Sequence, residues 1–235
     1  LLSRHYETGN TSTDVDAAKL ISTVDGDPGG ESYGAYMFAS KTGTVQNFIS
    51  WCRNTAYNAT NTVAYAIGDK LFAAYYSNGA GCGPLFDQAW LEVAADYGSA
   101  FFSTQEAFAK TQIYDKAIAY IRAQVPACNI DNYAVALKNV IWSRAVHHGP
   151  EGASNIVIRA FNALGGFANQ SESTLITAIY DESGRVVTPE ELRLENGAIN
   201  APVMSGSMAK KYAVEGKILR YWYGSSDGVQ MAVYR

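Results

Sequence analysis

From residue 44 to residue 182, apolar side chains return at helical spacing in one segment after another, and that periodicity limits the chain to a mostly α fold. Thr44 opens a helix with Val45, Phe48, Ile49 and Cys52 on one face. Residues 62–80 repeat the spacing with Ala64, Ile67, Leu71, Ala74 and Tyr75, and close on Asn78-Gly79-Ala80-Gly81. Pro84 suits the first turn of a helix over 85–97, where a missing N–H costs nothing. A long amphipathic helix is expected over 103–125, with Ser103 and Thr104 as caps and Pro126 as its stop. The helix expected over 131–147, capped by Asp131, has the widest apolar face and reads as central. Gly149-Pro150-Glu151-Gly152 is expected as a turn before helices over 153–164 and 172–182. Before residue 44 only Leu1–Tyr6 and part of 11–23 look helical, and after Gly184 only Met208–Tyr221 does. No repeat or linker interrupts the chain, so residues 1–235 are expected as one domain, cut from a longer protein.

One stretch refuses the helical pattern. Gly26-Asp27-Pro28-Gly29-Gly30 holds three glycines and a proline, which exclude a helix there. Ser32-Tyr33-Gly34 follows at once, and Gly34 to Ala39 reads as a short strand or the lead into a helix. Asp27 sits in this turn, and Glu7 stands twenty positions before it.

Charge and composition exclude several function classes. The net charge of −4 and pI near 5.4 do not favour a phosphate backbone, so nucleic acid is not an expected partner. No apolar run approaches a membrane span and no signal peptide is visible, so no membrane partner is expected. Cys52, Cys82 and Cys128 are too few and too far apart for a disulfide framework or a zinc pattern. The histidines His5, His147 and His148 form no metalloprotease motif, and no metal site is expected. Ser32 lacks the nucleophile elbow of a serine hydrolase. Cys82, between two glycines, is the better candidate for a cysteine amidase, but no activating cation stands beside it. Sixteen tyrosines and four tryptophans offer flat apolar faces with polar tips, which together lean towards carbohydrate.

Hydrolysis of a glycosidic bond needs a carboxylic acid to protonate the leaving oxygen and a second carboxylate to activate water or attack the sugar. Glu7 follows Tyr6 at the expected end of a helix, which suits the protonated partner. Asp27 lies in a glycine-rich turn open to water, which suits the base, and the glycines let a bulky substrate approach the backbone. Asp25 and Glu31 compete with Asp27 for that role and are read as solvated turn charges. A cation near the acid would tune and orient it, which makes Arg144 a candidate, although Arg144 also suits a cap or pair on its own helix and His147 and His148 suit a helix C-terminus. Tyr33 and Tyr36 are candidates to line a cleft, although Tyr36, Phe38 and Trp142 also fit a core.

Glu7, then Gly-Asp27-x-Gly-Gly-x-Ser-Tyr-Gly, then an aromatic run and a Thr-Gly-Thr helix start, resembles the family-46 chitosanases of the lysozyme superfamily. It is more similar still to their peptidoglycan-cleaving relatives in phage lysins and in toxins injected by type VI secretion. Ile141–Gly149 and Leu175–Asp181 resemble core helices of those relatives, and the likeness runs through residues 1–183 in order. The resemblance implies a two-lobed helical fold with a small strand and turn element at the active site. It implies Glu7 as general acid, Asp27 as general base and Ser32, five positions on, as the hydroxyl that holds the attacking water. Tyr33, Tyr36, Arg144 and His147 become substrate-side candidates. The implied activity is a muramidase that inverts configuration and needs no cofactor, acting in the periplasm or cell wall of a target or host bacterium. The expected partners are a glycan strand of peptidoglycan, an immunity protein and a delivery apparatus. A chitosanase and a non-catalytic wall-binding module are the alternatives, and residues 185–235 receive no role.

Overall fold

Polar caps and glycines decide where the helices begin. The computed structural model describes residues 13–23, 29–77, 79–133, 135–186, 224–225 and 228–229. These form two compact units, one within Asn10–Lys110 and the other within Thr111–Arg235. The chain is mostly helical, with a small three-stranded sheet in the first unit.

In the first unit, α1 (Asp14–Ala18) starts where the Thr13 hydroxyl accepts the Asp16 N–H at 3.0 Å. Three two-residue strands follow: β1 (Ile21–Ser22), β2 (Ser32–Tyr33) and β3 (Phe38–Ala39), antiparallel in the order β1-β2-β3. Helix α2 (Thr44–Arg53) begins after Gly43 in the left-handed conformation. Helix α3 (Val63–Tyr76) is capped by the Thr62 hydroxyl, and α4 (Pro84–Tyr97) has Pro84 at its first turn. Helix α5 (Ser99–Phe108) begins after Gly98, four residues ahead of the expected start. Thr104 is therefore not a cap, and its hydroxyl donates back to the Ala100 carbonyl at 2.8 Å inside the helix. The long helix expected over 103–125 is three pieces: α5, a π-helical stretch at Ala109–Tyr114, and α6 (Asp115–Gln124).

The core of this unit is aromatic. Phe48 of α2 lies among Phe38, Trp90, Phe101 and Phe108, with ring centroids 5.1 to 6.4 Å away. Gly68 lets α3 close on α2, because a β-carbon there would stand 2.6 Å from Cys52 Cβ.

In the second unit, α6 leads to a 3₁₀ turn at Ile130–Asn132, which takes up Asp131, the expected cap. Val135–Ala163, α7, is the long central helix, and Gly149 (φ 71°, ψ 167°) breaks it ahead of Pro150. The expected four-residue turn is thus one non-helical residue, since Pro150 fits the first turn of the helical segment beyond the break. Helix α8 (Glu172–Val186) packs Leu175, Ile176 and Ile179 against Leu137, Ile141, Val157 and Phe161 of α7. Glu172 Oε1 accepts the Leu137 N–H at 3.0 Å, one of the orphan donors at the start of α7. A two-stranded ribbon, β4 (Gly224–Ser225) and β5 (Gly228–Val229), completes the described residues. The helix expected over Met208–Tyr221 lies outside them.

Candidate functional site

The sheet sorts its side chains by register. Ile21, Tyr33 and Phe38 are paired across the strands, and so are Ser22, Ser32 and Ala39. Paired residues share a face, and successive residues alternate. The first row enters the core, with Tyr33 and Phe38 both at 0% exposure. The second row is half-buried and carries two hydroxyls, Ser22 and Ser32. Ser32 therefore stands on the half-buried side of a sheet whose other side is fixed in the core.

Gly34 and Ala35 continue that fixation. The Gly34 N–H donates to Leu20 O at 2.8 Å, and the Ala35 N–H donates to Gln105 Oε1 at 2.9 Å. Gln105 Nε2 and Trp90 Nε1 both donate to Ala18 O, at 2.9 and 3.0 Å. Gly34 has φ +74°, and a β-carbon there would stand 2.8 Å from Gln105 Cδ and 2.9 Å from Trp90 Cζ2. The Ser-Tyr-Gly motif thus needs its glycine for a backbone conformation and for room.

Tyr33 and Tyr36 are both in the core. The Tyr33 ring meets Phe86 and Trp90 edge-on at 5.2 and 5.3 Å, and Tyr36, at 2% exposure, stacks on Phe38. Neither ring offers a face to solvent. The Tyr33 hydroxyl lies 2.8 Å from Glu31 Oε2 and 2.5 Å from Asp87 Oδ1, in the first turn of α4. Burial first, then the bonds to Asp87 and Glu31, push the phenol far above its ordinary range, so it is a neutral donor. Glu31 also accepts from the Thr23 hydroxyl at 3.5 Å. It is a tied group rather than the free turn charge its neighbours predict. Nothing in the sequence pointed to Asp87, which reads there only as an acid suited to a helix N-terminus.

Cys82 adjoins this cluster. Burial pushes its thiol up to about 11; the nearby Glu31 and Asp87 carboxylates add to that, and the Tyr33 hydroxyl opposes it. A thiol in that state holds little thiolate at neutral pH, which removes the nucleophile from the amidase reading. Cys52, Cys82 and Cys128 are all free thiols. Among the described residues no three His, Cys, Asp or Glu side chains are grouped to hold a metal ion, and no helix is long and apolar enough to cross a membrane.

Arg144 and His147 belong to α7 in the second unit. Arg144 is wholly buried, with Nη2 at 3.4 Å from Ser143 Oγ and its guanidinium 5.5 Å from the Tyr180 ring centre. A buried guanidinium needs acceptors around it, so its place is a built one. His147 is half-buried, with its ring centre 4.4 Å from that of His148, just ahead of the break at Gly149. Glu7, Asp25 and Asp27 lie outside the described residues.

A mostly helical chain with a fixed hydroxyl-bearing sheet is what the residues define. The chain belongs to the family described as type VI secretion system spike protein VgrG3-like, C-terminal, which matches residues 1–192. It is 28% identical over 173 residues to the type VI secretion system spike protein VgrG3 of Vibrio cholerae serotype O1. That alignment covers 74% of this chain and 15% of that protein.

Proposed function

We propose that the chain is a peptidoglycan hydrolase of the muramidase type, delivered as the C-terminal part of a type VI secretion spike. The observation that carries this reading is the join of two facts. The chain belongs to a spike-protein C-terminal family. Its Ser32 also stands on the half-buried face of a pinned sheet, opposite the core, five positions after Asp27 in the motif that resembles the glycosidases. A lysozyme-like two-lobed fold belongs to the same reading.

In the proposed mechanism Glu7 gives its proton to the glycosidic oxygen as the bond to the anomeric carbon breaks. Water, hydrogen-bonded to Ser32 Oγ, attacks that carbon from the opposite side, and Asp27 takes the water's proton. The product is inverted, and the two carboxyls need a gap of about 6.5–9.5 Å to admit the water. Arg144 orients the acid and favours its charged form after the proton has left. His147 contacts the substrate, and Tyr33 and Tyr36 support the site from behind. The place of action is the periplasm or cell wall of a target bacterium, and an immunity protein would protect the producer.

Digestion of purified sacculi with wild type and Glu7→Gln tests this. Wild type should release disaccharide-peptides with reducing muramic ends, and the mutant should fall by at least about a hundredfold. Persistent cleavage by Glu7→Gln removes the acid assignment. Intact glycan with wild type, but cleaved chitosan, moves the substrate to chitosan. Binding without cleavage of either polymer leaves a wall-binding module.

A further inference from the structure

We propose that Asp87, through Tyr33 and Glu31, is a positioning residue that sets the Ser32 hydroxyl for the attacking water. The inference rests on the functional reading above and goes beyond it, since neither the motif nor the family assigns Asp87 a part.

Strand β2 is only two residues long, so its ladder bonds alone hold it weakly. The side chains of Glu31 and Tyr33 flank Ser32 and, by strand alternation, lie on the face opposite to it. Both are tied at one point, the Tyr33 hydroxyl, which meets Glu31 at 2.8 Å and Asp87 at 2.5 Å. Asp87 is 54 positions along the chain, on a helix packed through Phe86 and Trp90 against the Tyr33 ring. The strand is thereby referenced to a rigid element instead of to its own short hairpin. Glu31 extends the tie to Thr23 at the end of β1, and the Ser40 N–H holds the Glu31 carbonyl at 2.8 Å. Thr23 and Gly29 are the described residues on either side of 24–28, and Gly29 O accepts the Lys41 N–H at 2.9 Å. A phenol has one proton, so at any moment a single acid accepts it, either Asp87 at 2.5 Å or Glu31 at 2.8 Å, and the shorter contact makes Asp87 the main acceptor. An apolar contact would fill the same space without fixing an angle. A fixed angle is what a water-holding hydroxyl requires, because a displacement of about 1 Å costs roughly a hundredfold in rate.

The test uses the whole chain on purified sacculi and reads three quantities: initial rate of reducing-end release, cosedimentation with sacculi, and melting temperature. Tyr33→Phe and Asp87→Leu should each lose about tenfold or more in rate, with cosedimentation unchanged. Asp87→Asn keeps an oxygen that accepts from the Tyr33 hydroxyl and should recover most of the rate. A purely structural tie would lower melting and leave the rate of the folded protein intact. Wild-type rate in folded Tyr33→Phe overturns the proposal, and so does an Asp87→Asn as slow as Asp87→Leu. Should Tyr33→Phe fail to fold, the Asp87 pair decides. Glu7→Gln in the same assay separates the two levels: if it still cleaves, the functional reading has failed, whereas a silent Glu7→Gln beside a fast Tyr33→Phe sinks the positioning role alone.

Discussion

The two units hold themselves together by different physics. The first joins backbone groups far apart in sequence through buried directional bonds: Gln105 and Trp90 converge on Ala18 O, and Gln105 also takes the Ala35 N–H. Around those bonds it packs rings, with Phe48, Trp90 and Phe101 at the middle. The second unit packs mainly Ile, Leu and Val from α7 and α8, with side-chain bonds at its edges, such as Glu172 to the Leu137 N–H at the helix start and Arg159 to Glu182 at 2.8 Å. Aliphatic packing fixes how far apart helices sit but accepts exchange of similar volumes. Bonds through a buried amide fix the place of a particular peptide group. The first unit therefore suits a site whose parts come from turns and two-residue strands, which have no stiffness of their own.

The comparison breaks most sharply at Phe48. It is fully buried and meets four aromatic rings. Phe48→Ala should lose about 3–5 kcal/mol, because rings around a cavity relax only in part. Urea denaturation followed by tryptophan fluorescence measures it. A loss below about 1.5 kcal/mol, the range of volume-conserving swaps, would mean that the aromatic core is as tolerant as an aliphatic one.

Gln105→Leu comes next, at about 1–3 kcal/mol. The side chain is at 0% exposure, so the Ala35 N–H would lose a buried acceptor. Ala18 O would keep the Trp90 donor, which confines the damage to the strand side. Hydrogen exchange should accelerate at Ala35 and leave the Trp90 indole protected. Equal protection at Ala35 in both proteins would show that the amide is not what holds this turn.

Gln105 also shows what a sequence can and cannot carry. The helices α2, α3, α4 and α8 were legible because burying a stripe requires apolar residues at a helical interval, and Pro84 and Gly43 mark their starts. Of the strands, only a short one within Gly34–Ala39 was expected, where β3 lies, and β1 and β2 were missed, since two residues give no period to read. The start of α5 was misread because Ser103 and Thr104 look like caps wherever they stand, whereas Gly98 sets the true start. The site divides the same way. Ser32, Tyr33 and Gly34 stand out as a compact motif, and their placement explains the glycine. Gln105 and Asp87 look like ordinary helix polar residues, because what they do depends on a partner 54 to 87 positions away. Arg144 was visible as a cation on a central helix, but its complete burial follows only from packing on both sides.

The smallest effect is read at two thiols, one in each unit. Cys82 and Cys128 are both pushed up to about 11, in each case first by burial. Their neighbours differ. Glu31 and Asp87 raise Cys82 further while the Tyr33 hydroxyl lowers it, and Arg122 lowers Cys128. Alkylation requires thiolate, so its rate at pH 7.5 follows these balances. In Tyr33→Phe the stabilising hydroxyl is gone, the Cys82 thiol moves up, and labelling should slow by about twofold to fivefold. In Asp87→Asn a like charge is gone, the thiol moves down, and labelling should quicken by a similar factor. Cys128, bounded by aliphatic side chains and Arg122, should label at one rate in all three proteins. A change at Cys128 that tracks Cys82 would mean that the substitutions loosen the whole chain, and the contrast between a bonded unit and a packed one would lose its basis. Opposite shifts at Cys82 alone would tie the phenol, the carboxylates and the thiol into one electrostatic group, centred on the Tyr33 hydroxyl.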